Sequence, residues 1–437
     1  MKRQINIMKN KIIIGIAGFG NIGSYFYKTL QKNKLKIFLK TGKYPIVKYI
    51  STKNFNKKRS IKIPKSKRIK NLMNLPLIKD LDIIVELIGG SDGPAKRLVF
   101  SALKNHKHVI TANKSLIAKH GDKLSRIAEL NNVNLEFEAS VAGGVPIIRS
   151  IKEGLIVNKI DKVYGILNGT TNFILSSMEN TGKDFLEVLN EAKKLGFAES
   201  NPVSDLNGSD SASKLRILSS IAFNKAISKN AILTEGIQNI NLTDIRYAKK
   251  LGYQIKLLSI SEIKNHKLME RVHPCLIRHK STISSINGVL NAIVVNGSPV
   301  GKSLLQGEGA GPGPTSSALI SDLCSILRGN IKLPFGVSYK LRKKIMPFNT
   351  LKHKCSSYLR IEVKDLPGVL SSITKIFAKN KISIKNLIQS PNKKNSRASI
   401  IIITHESIEN NYRNLLNNLN NNKFVLKNPT FIRVEKL

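Results

Sequence analysis

The chain has 437 residues, 41% hydrophobic and 23% charged, an ordinary globular balance with material for two or three domains. Its 72 basic against 28 acidic side chains give a formal net charge of +44. The lysines are spread beside Asn and Ile throughout, without a basic stripe or interleaved aromatics, so they imply non-specific attraction to polyanions at low salt and no specific nucleic-acid binding. No apolar run approaches the ~18 residues of a membrane helix. The three cysteines, Cys275, Cys324 and Cys355, are far apart and odd in number, which argues against a disulfide framework or a metal site. The chain reads as cytoplasmic.

Lysines near the N-terminus precede Ile12-Ile13-Ile14, but no small-residue cleavage site follows, so a signal peptide is not the reading. Residues 11–23, KIIIGIAGFGNIG, read instead as a strand entering Gly18-Phe19-Gly20-Asn21-Ile22-Gly23, with a helix from Ser24 to Leu30 behind it. Strand, tight glycine turn and helix N-terminus in this order are what a dinucleotide pyrophosphate needs. A second strand, Ile46 to Ile50, leads to the place where an NAD-preferring site carries an acid for the ribose. Here the sequence continues Ser51-Thr52-Lys53-Asn54, then Lys57-Lys58-Arg59. The missing acid, with Lys53 and Arg59 in reach, predicts a 2′-phosphate and so NADP, with NAD possible as a second choice.

Leu81 to Ile88 reads as a buried parallel strand ending in Gly89-Gly90, which leaves room beside a cofactor. A helix from Pro94 to Asn105 and a strand from His108 to Thr111 follow. Lys114 then lies just past a strand's carboxyl end, where open α/β sheets bind ligands. After a further helix and the strand Asn134 to Phe137, the glycine-rich run Glu138 to Pro146 can turn several carbonyls and one carboxylate toward a hard cation. YGILNGTTNF at 164–173 reads as a strand, a small polar turn and the start of a helix, and Lys183 to Leu195 as another helix.

The run GFAESNPVSDLNGSDSASK at 196–214 sets Glu199, Asp205 and Asp210 close together in a basic chain and ends on Lys214. The apolar spacing after it, Leu215, Leu218, Ile221, predicts a helix with Asp210 and Lys214 four apart on one face. Such a pair can be a simple solvated salt bridge or part of a site. Residues 234–300 mix strands with short turns. Residues 340–356 are basic and irregular and read as a linker. From Ser357 a βαββαβ order restarts: strands at Tyr358–Val363, Ile382–Gln389, Ala398–Thr404 and Phe431–Val434, helices at Asp365–Asn380 and Ile408–Leu419. That is a ferredoxin-like module.

These pieces resemble homoserine dehydrogenase over nearly the whole chain. The likeness rests on GFGNIG at 18–23, VELIGG at 85–90, TANK at 111–114, EASVAGGVPIIR at 138–149, GILNGTTNFIL at 165–175 and the run 196–215, with RVHP at 271–274, NGVLNAI at 287–293 and GEGAGPGPTSSA at 307–318. The strand-DLPGVL-helix opening at the C-terminal end resembles an ACT regulatory domain. The resemblance implies reversible, nicotinamide-dependent reduction of L-aspartate 4-semialdehyde to L-homoserine, on the route to threonine, methionine and isoleucine. It implies Lys214 as proton donor, Glu199 and Asp210 with Gly169 and Thr170 as substrate contacts, and Lys114 near both nicotinamide and substrate. Glu138 with the main chain of Val141, Gly143 and Val145 matches a monovalent-cation loop, usually for sodium, and Gly311 a loop against the cofactor. The same likeness implies threonine as effector, or else a dimerisation module that has lost its ligand, and a homodimer or homotetramer. Asn201 departs from it, standing where the family often has aspartate.

The expected organisation is a Rossmann-type nucleotide-binding domain at 1–137, with 315–340 packing back on it, an α+β catalytic and dimerisation domain at 138–339, a linker at 340–356 and the ACT domain at 357–437. Two other readings stay open at this point: another amino-acid dehydrogenase on the same fold, and a catalytically dead ligand-sensing protein. The motifs at 165–215 oppose the first, and the intact Lys114, Glu199, Asp210 and Lys214 oppose the second.

Overall fold

The structure, a computed structural model, describes residues 10–59, 61–329, 333–392 and 396–437. The first nine positions of the expected nucleotide-binding domain, Ser60, and 330–332 of the segment expected to pack back on it lie outside the described residues. The chain forms two compact units: 1–167, 213–230 and 291–345 make the first, and 168–212, 231–290 and 346–437 the second.

In chain order the main elements begin with β1 (Lys11–Ala17), α1 (Asn21–Thr41), β2 (Tyr44–Ser51), β3 (Ile83–Glu86), α2 (Pro94–Lys104), β4 (His108–Thr111), α3 (Lys114–Leu130), β5 (Leu135–Glu136) and β6 (Lys159–Ile166). Then come α4 (Gly169–Thr181), α5 (Phe185–Lys194), α6 (Ser209–Ala222), α7 (Leu242–Lys250), β7 (Tyr253–Lys264), β8 (Lys267–Arg278), β9 (Leu290–Ser298), β10 (Gly301–Glu308) and α8 (Pro312–Leu327). The C-terminal module is β11 (Lys354–Lys364), α9 (Val369–Lys379), β12 (Ile384–Asn392), β13 (Arg397–Thr404), α10 (Glu409–Asn420) and β14 (Thr430–Val434).

The first unit holds a parallel sheet of order β2-β1-β3-β4-β5. Its central strands β1, β3 and β4 are mostly apolar and buried, as parallel strands covered by helices must be. Ile14, Ile16, Val47, Ile83, Val85 and Ile110 pack with Phe26 and Leu30 of α1 and with Leu319, Leu323 and Leu327 of α8. The helix α8 thus closes this core, although it is distant in sequence. The first helix is longer than expected, running on to Thr41, where Gly42 ends it in the left-handed region at φ +71°. The third strand is shorter than the expected Leu81–Ile88, because the buried Glu86 folds the chain into a turn.

The expected linker is largely irregular but anchored up to His353, and its last three residues, 354–356, already belong to β11. Buried Arg342 donates to Asp122 and Ser220, and its guanidinium stacks 3.8 Å from the Phe335 ring centroid.

The second unit carries a βαββαβ module with strand order β14-β11-β13-β12. Val369, Ile373 and Phe377 of α9 and Tyr412, Leu415 and Leu419 of α10 cover one face of it. The periodicity calls its helices correctly to within a few residues, except that α9 starts at Val369, past Pro367-Gly368. The last strand, β14, pairs in parallel with β8, which forms a long antiparallel hairpin with β7. Among the described residues no helix is long and apolar enough to cross a membrane.

Candidate active site

The glycines after β1 fit a dinucleotide. Gly18 has φ +97°, and a Cβ there would lie 2.5 Å from the Leu87 carbonyl oxygen. A Cβ at Gly20 would meet nothing within 4 Å, so bare backbone at the start of α1 faces open space. A pyrophosphate can approach that backbone and the positive end of the helix dipole. In front lies a cavity of about 900 Å³, lined by Phe19, Gly20, Asn21 and Ser24 on one side and by Thr52, Lys53, Lys57, Lys58 and Arg59 on the other. The two predicted cations, Lys53 and Arg59, therefore do line one cavity. Arg59 is partly committed: it donates to the carbonyls of Phe19 (2.8 Å) and Lys57 (2.9 Å) and to Thr52 Oγ1 (3.1 Å). It shapes the loop, while Lys53 and Lys57 are exposed at the rim.

The turn after β3 is built by an acid that the sequence reading passes over. Glu86 is fully buried. Its carboxylate accepts from the backbone N–H of Ile88 (2.7 Å) and Gly89 (3.0 Å) and from Thr111 Oγ1 (2.5 Å). Asn113 donates to the Gly90 carbonyl at 2.8 Å and caps α3 through its bond from Leu116 N–H. Gly90 and Lys114 are thus fixed by the same small network: Gly90 has φ +83°, and Lys114 is the first residue of α3, half-buried.

In the second unit Asn168 joins two of the clustered acids. Its Nδ2 donates to Asp205 at 2.7 Å and to Asp210 at 3.0 Å, while its Oδ1 accepts from Thr171 N–H and caps α4. Gly169 is pressed on the loop before β9, where a Cβ would come 2.5 Å from the Val289 carbonyl oxygen. Thr170 donates to the Phe197 carbonyl at 2.6 Å, tying α4 to the turn that leads to Glu199. Glu199 and Asn201 are themselves exposed, and Asn168 does not bridge to Glu199. As expected, Asp210 and Lys214 stand one turn apart at the start of α6. Both are buried, so the solvated salt-bridge reading fails. Lys214 Nζ donates to the Leu167 carbonyl at 2.7 Å.

Glu138 is buried, and its two carboxylate oxygens accept from the backbone N–H groups of Ile148 (2.9 Å) and Arg149 (2.8 Å). Burial pushes its pKa up from 4.5 to about 7, against the pull of those N–H groups and of Arg149. A buried carboxylate of this kind is chemically suited to a cation. The loop beside it is tightly bent: Ala142 and Gly143 both have positive φ, and a Cβ at Gly143 would lie 2.6 Å from the Gly309 carbonyl oxygen. Gly311, φ +108°, starts α8 with Pro312, which itself lines the cavity by Lys53.

Three family models match in sequence: the homoserine dehydrogenase NAD-binding domain over residues 18–138, homoserine dehydrogenase over 146–324, and the ACT domain over 357–424. A homoserine dehydrogenase of Neisseria gonorrhoeae is 37% identical, with 97% of this chain and 98% of that one aligned. The chain belongs to the homoserine dehydrogenase family. A crystal structure of homoserine dehydrogenase from Thiobacillus denitrificans matches with TM-score 0.90 at 36% identity, covering 97% of this chain and 98% of that one. A hyperthermophilic archaeal homoserine dehydrogenase, solved in complex with NADPH, matches 72% of this chain and 97% of its own with TM-score 0.62 at 25% identity. The protein is thus an NAD(P)-dependent oxidoreductase that interconverts aspartate 4-semialdehyde and homoserine, with a Rossmann-type domain, a catalytic domain and a C-terminal ACT domain of the kind that binds small effectors. As a homoserine dehydrogenase it must hold a nicotinamide cofactor, and the glycine cradle fits one.

Asn168, Asp205 and Glu86 belong to these hydrogen-bond networks, and sequence reasoning leaves them out of its site. For Asn168 the signal was the turn composition Asn-Gly-Thr-Thr before a helix, which marks an N-cap. For Glu86 it was one acid at the end of an otherwise apolar strand.

Proposed function

We propose that Lys214 is the proton donor for aldehyde reduction and the acceptor in the reverse direction. The observation that carries this reading is α6, which buries Asp210 and Lys214 one turn apart at its start. Bound nicotinamide supplies the hydride. Negative charge grows on the carbonyl oxygen during reduction, and a buried ammonium brought to it neutralises that charge and gives up a proton. Asp210 and Glu199 hold the substrate, Glu199 taking its ammonium group, with Gly169 and Thr170 contributing from the first turn of α4. Lys114, at the start of α3, serves both cofactor and substrate.

The preferred cofactor in this reading is NADPH. Lys53, Lys57 and Arg59 around the cavity, and Ser51 in place of an acid at the end of β2, support it, as does the NADPH held by the archaeal relative. Glu138 with the carbonyls of Val141, Gly143 and Val145 would hold a monovalent cation, most simply Na⁺, which would order the loop that faces Gly309. The functional division is 1–137 for nucleotide, 138–339 for catalysis and dimerisation, 340–356 as connector and 357–437 for regulation by threonine, in a homodimer or homotetramer working in the cytoplasm on the way to threonine, methionine and isoleucine.

NADPH oxidation by the purified chain with aspartate 4-semialdehyde tests the reading as a whole. Turnover that survives in Lys214→Ala would end the assignment of the proton. Millimolar threonine that changes neither activity nor thermal stability would leave the C-terminal module as a scaffold only.

A further inference from the structure

Lys256, near the start of β7, is fully buried and has no part in the reaction as described above. Its ammonium has three N–H donors and three acceptors around it: Asn172 Oδ1 at 3.1 Å, the Ile286 carbonyl at 2.6 Å and Asn287 Oδ1 at 2.8 Å. Burial pushes its pKa down to about 8, with Glu179 pulling the other way. An apolar side chain of the same length would fill the space without that desolvation. The position therefore needs the three bonds, and their direction shows what they hold.

Asn172 lies in the first turn of α4, and its backbone N–H bonds to the carbonyl of Asn168 at 3.3 Å. Its side-chain amide donates to the carbonyls of Ile286 and Leu290, each at 3.1 Å. Lys256 and Asn172 together thus stitch the 286–290 loop to the start of α4. Gly169 is pressed on the same loop at Val289. At the other end of this turn, Asn168 reaches Asp205 and Asp210.

We propose that Lys256 is a positioning residue for the substrate: its three bonds set where the turn 168–170 and, through Asn168, the Asp210 carboxylate stand. The inference rests on reading that turn as part of the substrate site. It assigns Lys256 to binding of the amino-acid end of the semialdehyde and gives it no role in proton transfer or cofactor affinity. Its loss should weaken substrate binding in ground and transition state alike, which raises KM and leaves kcat.

Steady-state kinetics of the full chain, with semialdehyde and NADPH varied in turn, compare Lys256→Met, Asn287→Ala, Asn287→Asp and Asn168→Ala. Lys256→Met should raise the semialdehyde KM about tenfold, the order expected for losing hydrogen bonds to a charged group, with kcat and the NADPH KM nearly unchanged. Asn287→Ala should move the same constant the same way by less, and Asn287→Asp, which keeps an acceptor, should hold it near wild type. A Lys256→Met enzyme with wild-type semialdehyde KM, beside an Asn168→Ala enzyme with a raised one, overturns the proposal and leaves the substrate turn standing. If Asn168→Ala also has a wild-type KM, the substrate reading of the turn fails and the proposal falls with it. A rise in both KM values together would mark a general packing defect and count against positioning. Should Lys256→Met not fold, the Asn287 pair decides, and equal KM values for Ala and Asp reject the idea.

Discussion

The Lys214 ammonium donates to the carbonyl oxygen of Leu167 at 2.7 Å. That bond fixes the direction of a long, flexible side chain. Lys214→Ala should lose at least about a hundredfold in kcat, the lower end for general acid catalysis, while NADPH binding measured by fluorescence stays near wild type. Lys114→Ala is the companion measurement. If its loss in kcat were the larger and Lys214→Ala turned over normally, the proton would come from Lys114.

Cofactor choice should follow the rim of the nucleotide cavity. A charge-assisted hydrogen bond to phosphate contributes about 1.5–3 kcal/mol, so kcat/KM for NADPH should exceed that for NADH by roughly tenfold or more. Replacing Lys53 and Lys57 together by alanine should remove most of this ratio by lowering the NADPH value alone. Arg59→Ala should harm both cofactors, because Arg59 holds the carbonyl of Phe19 inside the glycine turn. Equal use of NADH by the wild type would contradict the assignment.

Glu138 makes stability depend on pH and, with the cation proposed for its loop, on sodium as well. Its folded-state pKa, about 7, is above the ordinary 4.5. The folded state therefore binds the proton more tightly, and this contribution to stability is present below about pH 4.5 and lost as pH rises through 7. A bound cation would compensate the charge in that upper range. In choline chloride, the melting temperature of wild type relative to Glu138→Gln should fall between pH 4.5 and 7. Replacing choline by sodium at pH 8 should raise the wild-type melting temperature and leave Glu138→Gln where it was. No difference between the two salts at pH 8 would remove the cation from this loop.

Arg433 of β14 is buried between two carboxylates: it donates to Glu409 at 3.0 and 2.5 Å and to Glu235 at 2.7 and 2.9 Å. The partners differ in exposure, 4% for Glu409 and 37% for Glu235. Glu409→Ala takes from a buried guanidinium its buried partner and should destabilise by about 3–5 kcal/mol. Glu235→Ala, at the solvent edge, should cost about 1 kcal/mol or less. Denaturant melts that place the two variants together would show that burial does not set the difference.

Local chemistry is what the sequence displays well. Strand, glycine turn and helix stand next to each other from Lys11 onward, and the Asp210–Lys214 spacing needs only helical periodicity. Contacts across long separations are not displayed. Asn168 meets Asp205 and Asp210 over 37 and 42 positions. Glu86 finds Thr111 over 25. Lys256 is invisible for another reason: in a chain with 72 basic residues, one more lysine inside an apolar strand carries no signal, although this one is fully buried. Glu199 is exposed, which its place in the acidic run does not display.

The parallel pairing of Arg433 and Val434 with Cys275 and Leu276 has a practical meaning for anyone who would trim this protein. Cutting the chain ahead of β11 would strip a neighbour from β8 and expose unpaired N–H and C=O groups along a largely apolar strand. Such a raw edge recruits other strands, so the shortened protein should aggregate before it reports on regulation. A point substitution inside the C-terminal module leaves this seam closed and is the better test of the proposed regulation.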